Sequence, residues 1–142
     1  MRVVKTVLIN RPVEEVFTYV TDMCKVTEWT PAREIRPVND VPMGVGARFL
    51  QAGEFLNQRM EFTTEVTHYE VPRLFGFKSL TGPVNLETTI IFEPIESGTR
   101  VTMMGVGEPG GMLKFARGLV STMLDKQINA QVHKLKKNLE KA

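Results

Sequence analysis

Two kinds of hydrophobic periodicity, one following the other, constrain the fold of this chain more than any other feature. From Val3 to Met103, short segments alternate apolar and polar residues with the period of two that half-buried strands show. After Pro109–Gly110–Gly111, apolar residues recur instead at steps of three and four. The sequence therefore predicts an antiparallel sheet built from hairpins, followed by one long C-terminal helix.

The alternating segments number seven, and turn residues such as Gly44–Val45–Gly46, Gly82–Pro83 and Ser97–Gly98 separate several of them. In chain order, the predicted strands cover Val3–Ile9, Glu34–Val38, Ala47–Gln51, Arg59–His68, Phe75–Ser79, Leu86–Glu93 and Arg100–Met103.

Helical signals lie between the first two strands. Asn10 offers an N-cap, and apolar residues at helical spacing predict a short helix that ends near Thr21. The segment from Asp22 to Trp29, before Pro31, predicts a second short helix or a turn. We expect both to close one edge of the sheet.

The C-terminal helix is predicted to be about thirty residues, or roughly 45 Å, long. Its apolar stripe consists of Met112, Phe115, Ala116, Leu119, Val120, Met123, Ile128, Val132, Leu135 and Leu139. Seven strands make a sheet about 34 Å wide, whereas one helix is only about 10–12 Å across. The sheet must therefore curl around the helix, and curling leaves a cavity unless large side chains fill the space.

We expect this cavity to be lined by the inward positions of the strands and the helix. They are Phe49, Gln51, Met60, Phe62, Thr64, Val66, Phe75, Phe77, Ser79, Leu86, Thr88, Ile90, Val101, Met103, Met112, Phe115, Leu119 and Met123. A few polar groups on an apolar wall are typical of a site that orients a ligand. Trp29 is placed either at the cavity mouth or as a plug between the short helices and the sheet. A solid core filled by the aromatic residues is the alternative to a cavity.

Several motifs resemble a known superfamily. The run Ile9–Asn10–Arg11–Pro12–Val13–Glu14–Glu15–Val16–Phe17 is similar to the opening of START-like (SRPBCC) proteins. The same holds for Asp22, Trp29, the turn and strand 44–49, Phe92–Glu93–Pro94 and the segment 98–101. The closest branch is the polyketide cyclase/dehydrase and lipid transport type, which includes proteins similar to a component of carbon monoxide dehydrogenase. This resemblance spans nearly the whole chain and implies a single domain (residues 1–142) with the α+β helix-grip fold and a deep hydrophobic cavity. It transfers no catalytic motif.

Catalytic and cofactor signals are weak. Gly105–Val106–Gly107–Glu108–Pro109–Gly110 spells GxGxxG, but no strand follows the next helix, so a dinucleotide site lacks its βαβ context. We interpret this segment as a flexible entry to the long helix, and so as a gate.

His68 is the one candidate general base, which we place at the cavity rim. The simpler alternative is that it is a half-exposed histidine without a catalytic role. Cys24 is expected to be a small buried residue. No metal-ligand spacing occurs, and no cofactor is predicted.

Charge and composition limit the partners. The net charge of +2 is too small to indicate nucleic acid, although residues 111–142 alone carry +5. No apolar run is long enough for stable insertion into a membrane. The single cysteine permits no internal disulfide, so a cytoplasmic location is the default expectation. A homodimer is left open.

The leading hypothesis is binding or transport of a hydrophobic small molecule, such as a lipid, an isoprenoid or a polyketide. The first alternative is a polyketide cyclase or dehydratase, which would need a paired acid and base inside the cavity. The second is a module that tethers a membrane or a protein through its basic C-terminal helix.

Overall fold

The architecture comes from a computed structural model that describes residues 1–55, 58–82, 84–109 and 117–141. It contains one sheet of seven antiparallel strands, a short helix and a long C-terminal helix. In chain order the elements are β1 (Arg2–Ile9), α1 (Val13–Thr21), a 3-10 turn (Val26–Glu28), β2 (Ala32–Pro37), β3 (Arg48–Phe55), β4 (Gln58–Glu70), β5 (Leu74–Ser79), β6 (Val84–Ile95), β7 (Gly98–Pro109) and α2 (Arg117–Glu140). The predicted helix-grip fold is confirmed.

The sheet has the strand order β1-β7-β6-β5-β4-β3-β2. Strands β2 to β7 follow one another as neighbours, and β1 pairs antiparallel with β7, so β1 and β2 form the two edges. The period-two pattern assigns the faces of the central strands correctly. Thr64 and Val66 of β4 are buried, as are Thr88, Ile90 and Phe92 of β6.

The segment between β1 and β2 holds one α-helix rather than two. The residues after α1 form a turn and a single 3-10 turn, which is the shorter of the two forms that the sequence left open. Pro12, in an extended conformation, occupies the N-cap of α1, and the predicted cap Asn10 does not. Instead the Asn10 backbone N–H donates to the carboxylate of Glu140, 2.8 Å away.

Aromatic side chains fix α1 against the sheet. The Phe17 ring meets the Phe92 ring edge-to-face, with centroids 5.1 Å apart, and the Tyr69 ring at 5.5 Å. Tyr69 in turn meets Phe75 at 6.3 Å. Such edge-to-face pairs add stability beyond that of apolar burial. These ring contacts therefore hold α1 against β4, β5 and β6.

Helix α2 packs against β1 and β7, at one side of the sheet. Its buried side chains are Val120, Leu124, Ile128, Val132, Leu135 and Leu139. The prediction for Leu119 was wrong, because this side chain is 54% exposed, and Met123 is only half-buried. The buried stripe runs mainly in steps of four, which turns Leu119 outward. The predicted stripe residues Met112, Phe115 and Ala116 lie outside the described residues.

A polar clamp holds the end of α2 to the loop after β1. The Glu140 carboxylate accepts hydrogen bonds from Asn10 and from Lys136 Nζ at 2.9 Å, while Lys136 Nζ also donates to the Leu8 carbonyl at 2.6 Å. The bond from the Asn10 backbone and then that from Lys136 lower the pKa of Glu140. Nearby, the Asn138 amide donates to the Tyr19 hydroxyl at 3.0 Å. Burial, and then the hydrogen bond to Glu28, raise the pKa of Tyr19.

The GxGxxG segment is part of the sheet, because β7 continues to Pro109. Gly105–Pro109 therefore form paired strand and not the predicted entry to the helix, while Gly110 lies outside the described residues. Both Gly105 and Gly107 are buried. A Cβ on Gly105 would overlap the Cδ1 atom of Ile128, so this glycine permits the close approach of α2 to β7. Neither helix of the described residues is long and apolar enough to cross a membrane.

Candidate functional site

The main cavity lies between the sheet and α2 and has a volume of about 150 Å³. Strands β3 to β7 supply one wall and α2 the other, with the residues just before β2 at the side. It is lined by Trp29, Thr30, Pro31, Ala32, Gln51, Gly53, Glu54, Phe62, Thr64, Phe77, Ser79, Val84, Leu86, Thr88, Ile90, Met103, Val120, Leu124, Gln127, Ile128 and Gln131. The volume equals that of an engineered protein cavity known to hold benzene.

The cavity exists because α2 covers only part of the sheet. The helix packs on β1 and β7, and β3 to β6 extend beyond its width. The aromatic cluster around Phe17 and Phe92 fills the space at the α1 end. The space that neither element fills becomes the cavity, as the comparison of sheet and helix widths predicts.

A smaller cavity of about 40 Å³ adjoins the first. Trp29, Thr30, Gln51, Thr64 and Phe77 line both. Trp29 is only 3% exposed, so the structure places it in the wall between the two cavities and not at an open mouth. Its indole Nε1 is buried without a hydrogen-bond partner among the described residues.

Most of the residues predicted to line the cavity do so. The main cavity includes Gln51, Phe62, Thr64, Phe77, Ser79, Leu86, Thr88, Ile90 and Met103 of that set. The smaller cavity adds Phe49, Val66 and Phe75. Four predicted residues line neither cavity: Met60, Val101, Leu119 and Met123. Val101 is instead fully buried in the core, and Met112 and Phe115 lie outside the described residues.

The sequence-based list missed the polar residues of α2. Gln127 and Gln131 both line the main cavity, one helical turn apart, beside the apolar residues Leu124 and Ile128. Their spacing from the apolar residues of the helix could have revealed them. Both are half-buried and flank the buried stripe of α2, next to Ile128.

Some polar side chains of the cavity form hydrogen bonds within the protein, and others do not. The Ser79 hydroxyl donates to the Val84 carbonyl at 3.1 Å and accepts from the Leu86 N–H at 2.9 Å, so it ties β5 to β6. Gln51 Nε2 donates to Thr64 Oγ1 at 3.2 Å. The side chains of Thr88, Gln127 and Gln131 make no hydrogen bond within the described part of the chain.

The opening of the cavity carries the one charged group among its described lining residues. Pro31 and Glu54 are the exposed members of that lining. The Glu54 carboxylate is 2.9 Å from the Arg33 guanidinium. The remaining lining residues described are neutral, so the interior favours an uncharged guest.

His68 lies outside both cavities, and its side chain is exposed. A β-bulge between Val66 and His68 shifts the register of β4, and His68 Nδ1 lies 3.0 Å from Thr67 Oγ1. The expectation that it touches the cavity rim was wrong, because the alternation breaks at this bulge. Cys24 is exposed as well, not buried. Within the described ranges, no three metal-ligating side chains cluster.

Comparison with known proteins adds the family to this geometry. The family described as polyketide cyclase/dehydrase and lipid transport matches residues 1–140. The chain belongs to this family. The START-like relationship that the motifs predicted is therefore confirmed. No curated protein matches the chain.

Solved structures agree with the polyketide cyclase/dehydrase and lipid transport fold at low sequence identity. The protein TTHA0849 from Thermus thermophilus superposes with a TM-score of 0.83 at 18% identity, covering 98% of this chain and 97% of that one. The Zhui aromatase/cyclase from Streptomyces sp. R1128 gives a TM-score of 0.84 at 13% identity, covering 99% and 93%. The di-domain aromatase/cyclase BexL gives 0.79 at 17% identity, covering 99% of this chain and 46% of that chain. Identities this low establish the fold alone.

Proposed function

We propose that this protein binds a hydrophobic small molecule, about the size of one substituted aromatic ring, in the main cavity. The observation that carries the proposal is the cavity itself. It has a volume of about 150 Å³ and lies in the interior of a chain of only 142 residues. Its apolar wall is interrupted by a few unpaired polar groups, a combination typical of ligand sites.

Apolar burial supplies the affinity. An aromatic ring buries about 150–250 Å², and at about 25 cal/mol per Å² this stabilises the complex by about 4–6 kcal/mol. A ligand of this size would therefore bind with a Kd of about 0.04–1 mM. The smaller cavity behind Trp29 and Phe77 gives space for a larger guest if these side chains move.

A cyclase is the second candidate function. Two of the similar structures are named aromatase/cyclases, and such a reaction needs an acid or a base at the substrate. Glu54 is the one ionisable side chain among the described lining residues, and Arg33 already pairs with it. Conversion of a linear polyketide that Glu54→Gln abolishes would support this candidate over simple binding.

The test of binding uses p-xylene as the probe and a matched pair of variants. Val120 lines the cavity and is 2% exposed, whereas the neighbouring Leu119 is 54% exposed. Val120→Phe should fill the cavity and abolish binding, while Leu119→Phe adds the same ring outside it. We expect p-xylene to raise the melting temperature of the wild type and of L119F but not of V120F, because a ligand that binds only the native state stabilises it.

The same experiment has a clear contrary outcome. A melting temperature that p-xylene leaves unchanged in the wild type up to its solubility limit would contradict the proposal. Mass spectrometry of an organic-solvent extract of the purified protein then identifies the ligand class, and V120F provides the blank.

A further inference from the structure

Two glutamine side chains on α2 are unusual for the positions that they occupy. Gln127 and Gln131 lie four residues apart on the buried side of the helix and line the main cavity. The residues beside them on this face, Leu124, Ile128 and Val132, are all buried and apolar.

Neither carboxamide has a hydrogen-bond partner in the described part of the protein. Both side chains are half-buried and border the open space of the cavity, so their amide groups are accessible to a ligand. Other polar groups of the cavity, such as the Ser79 hydroxyl, are bonded to the backbone. The two glutamines therefore have hydrogen-bonding capacity that folding does not use.

We propose that Gln127 and Gln131 together bind the polar end of the ligand, and that this end is an uncharged hydroxyl group on an apolar body. The inference rests on the proposed binding function and names the ligand class. A carboxamide both donates and accepts, so an adjacent pair matches a hydroxyl, which also does both. Residues i and i+4 are neighbours on a helix surface, close enough to share one small group.

The charges around the cavity favour a hydroxyl over a carboxylate. Glu54 is the only charged residue among the described lining residues, and its charge is negative. An anionic ligand group would lose its hydration in a largely apolar space and would find no cation among the described lining residues, while Arg33 at the opening already pairs with Glu54. The ligand thus enters with its apolar body against the sheet and its hydroxyl toward α2.

The experiment compares p-cresol with p-xylene, two molecules of the same shape that differ by a hydroxyl in place of a methyl group. Their binding is measured by the fluorescence of Trp29, the only tryptophan of the chain, which lines the cavity. Excitation at the red edge of the indole band avoids absorption by the cresol. The proteins are the wild type, Gln127→Leu, Gln131→Leu and Q127L/Q131L. Asn129→Leu, an exposed residue of the same helix, is the control.

The preference for the hydroxyl is expressed as Kd of p-xylene divided by Kd of p-cresol. One lost hydrogen bond corresponds to about a two- to tenfold change. We expect the ratio to fall about tenfold in Q127L/Q131L, by less in each single variant, and not at all in N129L. Without ligand, the double variant should melt no lower than the wild type, because neither glutamine side chain holds a hydrogen bond within the described residues. Gln→Met versions of both positions, with a side chain of similar length, are measured in parallel in case the leucine variants do not fold.

An unchanged ratio in Q127L/Q131L, with p-xylene still bound, would overturn the role of the glutamines and leave the binding function intact. A lower melting temperature of the folded double variant would assign the glutamines to structure and would also overturn it. If neither compound binds the wild type, the binding function itself fails, and this inference fails with it.

Discussion

The fit between α2 and β7 leads to a sharp prediction about two glycines of one strand. Gly105 and Gly107 are both buried on β7, two residues apart and therefore on the same face. A Cβ on Gly105 would overlap the Cδ1 atom of Ile128, a residue that is 3% exposed and lines the cavity. A Cβ on Gly107 would meet Leu86 Cδ1 and Val84 Cγ1 at 3.5 Å, which is ordinary van der Waals contact.

Gly105→Ala and Gly107→Ala therefore form a matched pair. Each substitution reduces the entropy of the unfolded chain and contributes about 0.4–1 kcal/mol of stability where the alanine fits. At Gly105 the overlap is with the terminal Cδ1 atom of Ile128 alone, so the cost is that of rotating this methyl group away, about 0.5–1.5 kcal/mol. G107A should thus be at least as stable as the wild type, and G105A less stable than G107A by about 0.5–1.5 kcal/mol. Because Ile128 is most easily displaced toward the cavity, G105A should also bind p-xylene more weakly.

Urea unfolding followed by circular dichroism measures both free energies of unfolding. The slopes of the transitions must agree between the variants for the comparison to hold. Equal stability of G105A and G107A, together with unchanged p-xylene binding by G105A, would refute the close contact of Ile128 with Gly105.

Two further predictions concern hydroxyl and carboxyl groups. Thr88 and Thr99 are both buried, but of these two only Thr99 has a side-chain hydrogen bond within the described residues, 2.8 Å long, to the Arg11 carbonyl. Thr99→Val should lower the free energy of unfolding by about 1–3 kcal/mol, whereas Thr88→Val should change it by less than about 1 kcal/mol; equal losses in urea titrations would contradict this assignment. Glu140 has a lowered pKa in the folded protein, so its carboxylate stabilises the fold above the unfolded pKa, and this contribution is lost as pH falls through the folded value. Glu140→Gln should accordingly lower the melting temperature at pH 7 and approach the wild type below about pH 4; a difference that is constant from about pH 7 to about pH 3 would show that the charge is not involved.

The sequence predicts the sheet well because its signal is local. In β4 the alternation from Met60 to Val66 records which side of the strand faces inward, and hairpin turns bring neighbouring strands together. The same local rule fails where the register shifts. His68 follows the bulge after Val66, so counting by twos places it on the wrong side.

The helix is harder to predict because the buried side depends on the angle at which it meets the sheet. Apolar residues are frequent around α2, and Leu119 and Val120 fit a stripe equally well on spacing alone. In the structure Ile128 packs over Gly105 and is buried, and on the same helix Leu119 is exposed. Gln127 and Gln131 were missed for the same reason, since polar residues are ordinarily assigned to the outer face.

The sequence predicts a cavity because the sheet is wider than one helix. It does not predict how large the cavity is. Which space stays open depends on how far the side chains of Phe17, Trp29 and Phe77 reach, and these are properties of packing rather than of pattern. The hydrogen bonds of the polar cavity residues could not be predicted from the sequence either. Ser79 and Gln51 occupy predicted inward positions, yet only the structure shows that Ser79 is bonded to the backbone.

Methyl NMR of isoleucines during a titration with p-xylene tests the central claim most directly, because it locates the bound molecule. Ile90 and Ile128 line the main cavity, whereas Ile9 is 1% exposed and lies elsewhere in the core. We predict saturable shifts of the Ile90 and Ile128 δ1 methyl signals, with the Ile9 signal unchanged. Signals of Ile90 and Ile128 that stay in place up to the solubility limit of p-xylene would contradict a ligand-binding cavity.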